Sequence, residues 1–159
     1  MSVNRKRLHV FVLPEDDANL QLATGFVLEF PTRQIQRLPV AGGWREVVSR
    51  FESDHMDEMD KYPERLMVLL IDFDSRYSRL EEVRAGIPGH LVDRVFVLGA
   101  WTEPEDLKRA KLGSYETIGR AMAQDCRRNA NATWGHELLR HNADELARLC
   151  ERIRPILSA

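Results

Sequence analysis

Leu66-Met67-Val68-Leu69-Leu70-Ile71-Asp72-Phe73-Asp74 is the stretch that decides the fold. An unbroken apolar run suits a strand whose two faces are both covered by helices, the situation of a parallel sheet. It ends abruptly in two acids, which marks the point where the strand surfaces. Working outward, Leu8-His9-Val10-Phe11-Val12-Leu13 and Arg94-Val95-Phe96-Val97-Leu98 read the same way. Gln34-Ile35-Gln36-Arg37-Leu38 alternates polar and apolar before Pro39, so it belongs at or near a sheet edge.

Helical patterns separate these strands. Asp17 to Phe30 carries Ala18, Leu22, Ala23, Phe26 and Val27 on one face, and Gly43 to Asp57 carries Trp44, Val47, Val48 and Phe51. Arg79 to Leu91 is interrupted at Gly86-Ile87-Pro88-Gly89, giving a short helix and a turn. Beyond Trp101 the chain reads as helix only: from Pro104 through Lys111, from Ser114 to Asn129, and a last helix launched by a capping box, Asn142-Ala143-Asp144-Glu145. The alternation calls for a three-layer, Rossmann-like α/β fold with a central, mostly parallel sheet of about four strands and a C-terminal helical extension. Residues 1–112 form the α/β domain, and residues 113–159 form the extension, packed on the same domain.

Bulk properties narrow the function. At 159 residues, 43% hydrophobic and 30% charged, the chain supports one domain with a real core. A net charge of −2 provides no global basic field for nucleic acid or membrane. Cys126 and Cys150 lack metal-ligand spacing and read as buried, reduced thiols. No export signal is legible and no segment approaches the ~20 apolar residues of a membrane helix, so a cytoplasmic protein without a membrane partner is expected. His136 and His141 sit in what reads as an ordinary helix junction, badly spaced for joint metal ligation.

Chemistry is expected at the carboxyl ends of the strands, where loops part and leave a crevice. The first strand ends in Glu15-Asp16-Asp17, the second leads to Gly42-Gly43, the third ends in Asp72-Phe73-Asp74-Ser75-Arg76, and the fourth leads to Glu103-Pro104-Glu105. Carboxylates crowded into one crevice repel one another unless a cation lies among them, and hard oxygen ligands suit Mg²⁺ or Mn²⁺. Arg76, beside the acids, is the best-placed cation for a phosphate. Arg79, Lys108, Arg109, Lys111, Arg127 and Arg128 read as solvated helix faces.

An acid closing the first strand, a glycine turn after the second and Asp-x-Asp closing the third resemble the TOPRIM domain of topoisomerases, bacterial primases and nucleases of the overcoming-lysogenization-defect type. The match runs through Glu15, Gly42-Gly43 and Asp72-Phe73-Asp74, over roughly the first hundred residues. Val95 to Gly99 followed by Glu103 and Glu105 is similar to the extra acidic position of the nuclease branch. Where the family carries glycine after the first acid, this chain carries Asp16. The resemblance implies a catalytic set of Glu15, Asp72 and Asp74. It gives the same three residues to Mg²⁺ or Mn²⁺, with Glu103 or Glu105 completing the site, and Arg76, Gly42 and Gly43 contacting phosphate. It further implies a metal-dependent nuclease or phosphoryl-transfer component acting on nucleic acid, with a partner protein such as an ATPase.

Two other readings compete. The opening Val12 to Asn19 also resembles response-regulator receivers, with Asp72 as phosphoacceptor, a reading that requires a fifth strand ending in lysine. Alternatively the chain catalyses nothing and its terminal helices dock a protein partner.

Overall fold

The computed structural model, in which residues 3–158 are described, sets four parallel strands side by side. They are β1 (His9–Pro14), β2 (Ile35–Arg37), β3 (Arg65–Leu70) and β4 (Val95–Leu98), in the order β2-β1-β3-β4. The polar, alternating strand is an edge strand, as its pattern demanded. Val12 lies opposite Val68, and Val68 opposite Phe96, so side chains form continuous rows across the sheet.

Pleating divides those rows between two cores. Val10, Val12, Leu66, Val68, Leu70, Phe96 and Leu98 face one side, while Phe11, Leu13, Met67, Leu69, Val95 and Val97 face the other. The first face is covered by α1 (Asp17–Leu28), α6 (Tyr115–Arg128) and α7 (Ala143–Leu157). The second is covered by α2 (Trp44–Arg50), α3 (Met56–Lys61) and α4 (Arg79–Arg84). A short α5 (Pro104–Arg109) follows β4, with Pro104 in its first turn. The chain is therefore a three-layer, Rossmann-like α/β fold, and no described helix is long and apolar enough to cross a membrane.

The C-terminal helices form part of a layer. Ile118, Met122, Leu149, Ile153 and Leu157 enter the same core as the strands. Helices α1 and α6 approach through glycines: a Cβ at Gly25 would lie 2.0 Å from the Glu116 carbonyl oxygen, and one at Gly119 2.0 Å from that of Leu22. Side chains there would force the two backbones apart. Ser114 caps α6 by accepting from the Thr117 amide, and Asn129 closes it in the left-handed conformation, matching the expected span.

Four local expectations are corrected. The helix expected to end near Asp57 continues to Lys61 through a π-helical turn, Phe51–His55. Phe51 and Met59 are both fully buried, and the extra residue of a π turn brings these positions, eight apart, towards one face. The capping box at Asn142 does not form. Asn142 instead accepts from the Gly99 amide and donates to the Gly99 and Leu139 carbonyls, while Glu145 pairs with Arg84 and Arg148. Cys126 and Cys150 are joined in a disulfide between α6 and α7, with Cα atoms 5.2 Å apart, because the two helices pack with those positions facing. Arg79, read as a solvated cation, is buried.

Candidate metal centre

Strand order reverses between β1 and β3. The chain leaves β1 for β2 on one side and later returns to β3 on the other, so the loops after β1 and β3 diverge and open a crevice. Glu15 and Asp16 follow β1, and Asp72 follows β3 two residues beyond its last paired position. Among the described residues, Glu15, Asp16 and Asp72 form the group whose carboxylate oxygens lie within 4.8 Å of one another.

Local structure fixes each acid. Asp16 is the N-cap of α1, its Oδ1 accepting from the Asn19 amide at 3.0 Å. The Glu15 amide donates to Leu70, continuing the ladder between β1 and β3, and its Oε1 accepts from the Asp72 amide at 3.1 Å. Asn19, fully buried in the first turn of α1, bridges two of the acids: its Nδ2 donates to Asp16 at 2.9 Å and to Asp72 at 2.8 Å. Its Oδ1 is buried without a donor. The amide nitrogen is the arm turned to the acids, so the carboxylates of Glu15, Asp16 and Asp72 are the oxygen donors gathered here, of the kind that suits a hydrated hard cation.

The electrostatics follow from this crowding. Burial raises Asp72 from the ordinary carboxylate range to about 7; the Asn19 hydrogen bond opposes the rise, and Glu15, Asp16 and Asp74 add to it. Burial also raises Glu15, opposed by the Asp72 amide and reinforced by Asp16 and Asp74. Such a pair releases its protons most readily when a cation is supplied.

Other expected residues lie around this group. Asp74 sits in a left-handed turn with Ser75 (φ 50° and 58°), and Arg79 holds its carboxylate at 2.9 Å. Arg79 also donates to the Asp72 carbonyl at 2.8 Å and lies over the Trp44 ring, 4.4 Å from its centroid. It is thus the clamp that shapes the loop after β3. Glu105, in the first turn of α5, is raised by burial and by Glu103, with a lesser contribution from Asp16. Glu103 faces Arg109 at 3.6 Å. Gly42 adopts φ +104°, a turn that suits glycine, and its amide donates to the Glu15 carbonyl at 2.8 Å. The Gly43 carbonyl accepts from Val47 and starts α2. Arg76 is exposed on the loop after β3.

Asp16, Asn19 and Arg79 were not singled out from sequence as site residues. Asp16 entered the sequence reading as one of the acids closing the first strand, where the resembled family has glycine, and Arg79 as a surface cation. Asn19 had a usable signal: it is polar on the stripe that continues through Leu22, Ala23 and Phe26, a position where a buried amide needs a purpose. After β4 the described chain is helical, so the lysine-bearing fifth strand of a receiver is not found among the described residues. Comparison with protein-family models, curated proteins and solved structures found no match for this chain.

Proposed function

We propose that this protein is a TOPRIM-like, Mg²⁺- or Mn²⁺-dependent component for phosphodiester cleavage or a related phosphoryl transfer on nucleic acid. One observation carries the reading: Glu15, Asp16 and Asp72 converge at the switch point between β1 and β3, with the Asn19 amide nitrogen bridging Asp16 and Asp72. Asp72 and Asp16 would hold the ion, with Asn19 orienting both carboxylates. A divalent cation held there supplies charge neutralisation and Lewis-acid polarisation of a phosphoryl oxygen. Glu15 engages the Asp72 amide through Oε1, which leaves Oε2 to accept or deliver a proton, and burial raises its carboxyl above the ordinary range, the direction that favours such an exchange. Arg76 is the phosphate contact this arrangement favours, because the Gly42 amide is committed to Glu15. Asp74 serves indirectly, tying the loop to Arg79.

A chain this small, with a net charge of −2, gains nucleic-acid affinity from a partner, and the TOPRIM nuclease resemblance points to an ATPase. The test is cleavage of single- and double-stranded DNA and RNA with Mg²⁺ or Mn²⁺, for wild type, Glu15→Gln and Asp72→Asn. Metal-stimulated cleavage should fall by about 100-fold or more in both variants. Equal cleavage by the variants, or no metal-stimulated cleavage of any substrate, counts against the reading.

A further inference from the structure

The loop after β3 and the loop after β4 run together beyond the sheet: Phe73 donates to the Ala100 carbonyl at 3.0 Å, and Ser75 to the Trp101 carbonyl at 2.8 Å. This pairing builds an aromatic tier next to the acids. The His141 ring lies 4.6 Å from Phe73 and 5.2 Å from Trp101, and Tyr77 covers Trp101 at 4.8 Å. Tyr77 ends the tier with 91% of its surface exposed, far above any other large hydrophobic residue described. Trp101, His141 and Tyr77 line an open cleft of about 430 Å³ together with Arg140 and Glu137.

Charge at this cleft is unspent. Arg140 on its wall and Arg76 next to Tyr77 are exposed, and neither takes part in an ion pair among the described residues. A flat, solvent-facing ring flanked by free guanidinium groups complements a ligand with aromatic faces and regularly spaced negative charges. Glu137, the one acid on the lining, is an acceptor for an N–H on the Watson–Crick edge of an unpaired base, such as thymine N3–H.

We propose that this tier is a stacking platform for an unpaired base of single-stranded nucleic acid, with Arg76 and Arg140 contacting the flanking phosphates. The proposal rests on the phosphodiester reading for its biological meaning and names its substrate class. Single strands are selected because bases in a duplex are already stacked and present no free face to Tyr77. The strand would be held one loop away from Asp72, whose following residue, Phe73, packs at the root of the platform.

The test is fluorescence anisotropy with a labelled oligothymidylate in EDTA. It is compared with an abasic oligomer carrying the same phosphates and with the oligothymidylate annealed to oligoadenylate. Wild type should prefer the single strand to both. Tyr77→Ala should weaken that binding about fivefold or more, towards the abasic level, since one lost stack is enough for this. Tyr77→Phe should retain it, and Arg140→Gln should weaken the abasic and base-bearing oligomers alike. Because Tyr77 is outside the core, its variants should unfold at the wild-type temperature and keep any Mg²⁺-dependent rise in that temperature. Base-dependent binding without a metal effect would sink the metal site and leave the platform standing; a metal effect with equal binding of abasic and base-bearing oligomers would do the reverse. Saturable binding of a proline-rich peptide by wild type, lost in Tyr77→Ala, with no oligonucleotide binding, would make this a protein-docking surface and overturn the proposal.

Discussion

Asp72 is buried with its oxygens turned towards Glu15, Asp16 and Asn19, and its folded-state pKa of about 7 has a definite sign for stability. Above its unfolded value the native carboxyl holds a proton that the unfolded chain has released. Its contribution is therefore intact below about pH 4 and is lost as pH rises through 7. Metal-free Asp72→Asn should be more stable than wild type at pH 8, by on the order of 3 kcal/mol, with the advantage vanishing near pH 4. Urea unfolding at the two pH values measures this, and no difference at pH 8 would mean the carboxylate is solvated. His141 acts in the opposite direction. Burial holds it neutral, lowered to about 4, with only the Gly99 backbone opposing the shift. Below pH 6.5 the unfolded chain binds a proton that the fold excludes, so stability falls between pH 6.5 and 4 by about 3 kcal/mol. His141→Phe should remove most of that fall, and an unchanged acid limb would show that the ring is accessible to water.

The helices supply constraints that single residues cannot. Gly25 and Gly119 let α1 and α6 touch, and α1 carries Asn19 and the Asp16 cap, so this contact also sets the height of the site. Gly25→Ala should cost about 2 kcal/mol by denaturant unfolding, because the new methyl meets backbone and no flexible side chain can yield. The disulfide between α6 and α7 spans 24 residues, and the Cys126→Ser/Cys150→Ser chain should lose about 2–4 kcal/mol against the oxidised protein. A smaller loss on reduction would show that helix packing alone holds the layer. At this scale the sequence was partly legible. Ser114 and Asn129 bounded α6 because capping is local chemistry, readable from the residues that do it. Asn142 looked equally local and was not: its amide is engaged by Gly99, a partner 43 residues away that no window of sequence displays. The π turn at Phe51–His55 is similar, since only the need to bury both Phe51 and Met59 on one sheet face reveals it.

For the whole molecule, the continuous apolar strands and their acidic ends were enough to give the layers and to locate the crevice. Glu15 and Asp72 were legible because strand ends at a switch point are where side chains from different loops converge. The composition of the site was less so. Asp16 joins it through the geometry of the α1 cap, while Asp74, alternating with Asp72 in sequence, turns away to Arg79 once the backbone enters the left-handed region. The central claim is that these converging carboxylates bind a divalent cation, and thermal unfolding of the full chain with and without Mg²⁺ or Mn²⁺ tests it most directly. A metal that binds only the native state stabilises it by about 2.7 kcal/mol at a hundredfold excess over its Kd. Wild type should show a metal-dependent rise that is larger at pH 8 than at pH 6, where protons compete at Asp72, and Asp72→Asn should show none. An unfolding temperature that ignores both metals at both pH values, or a rise that survives in Asp72→Asn, would contradict the account.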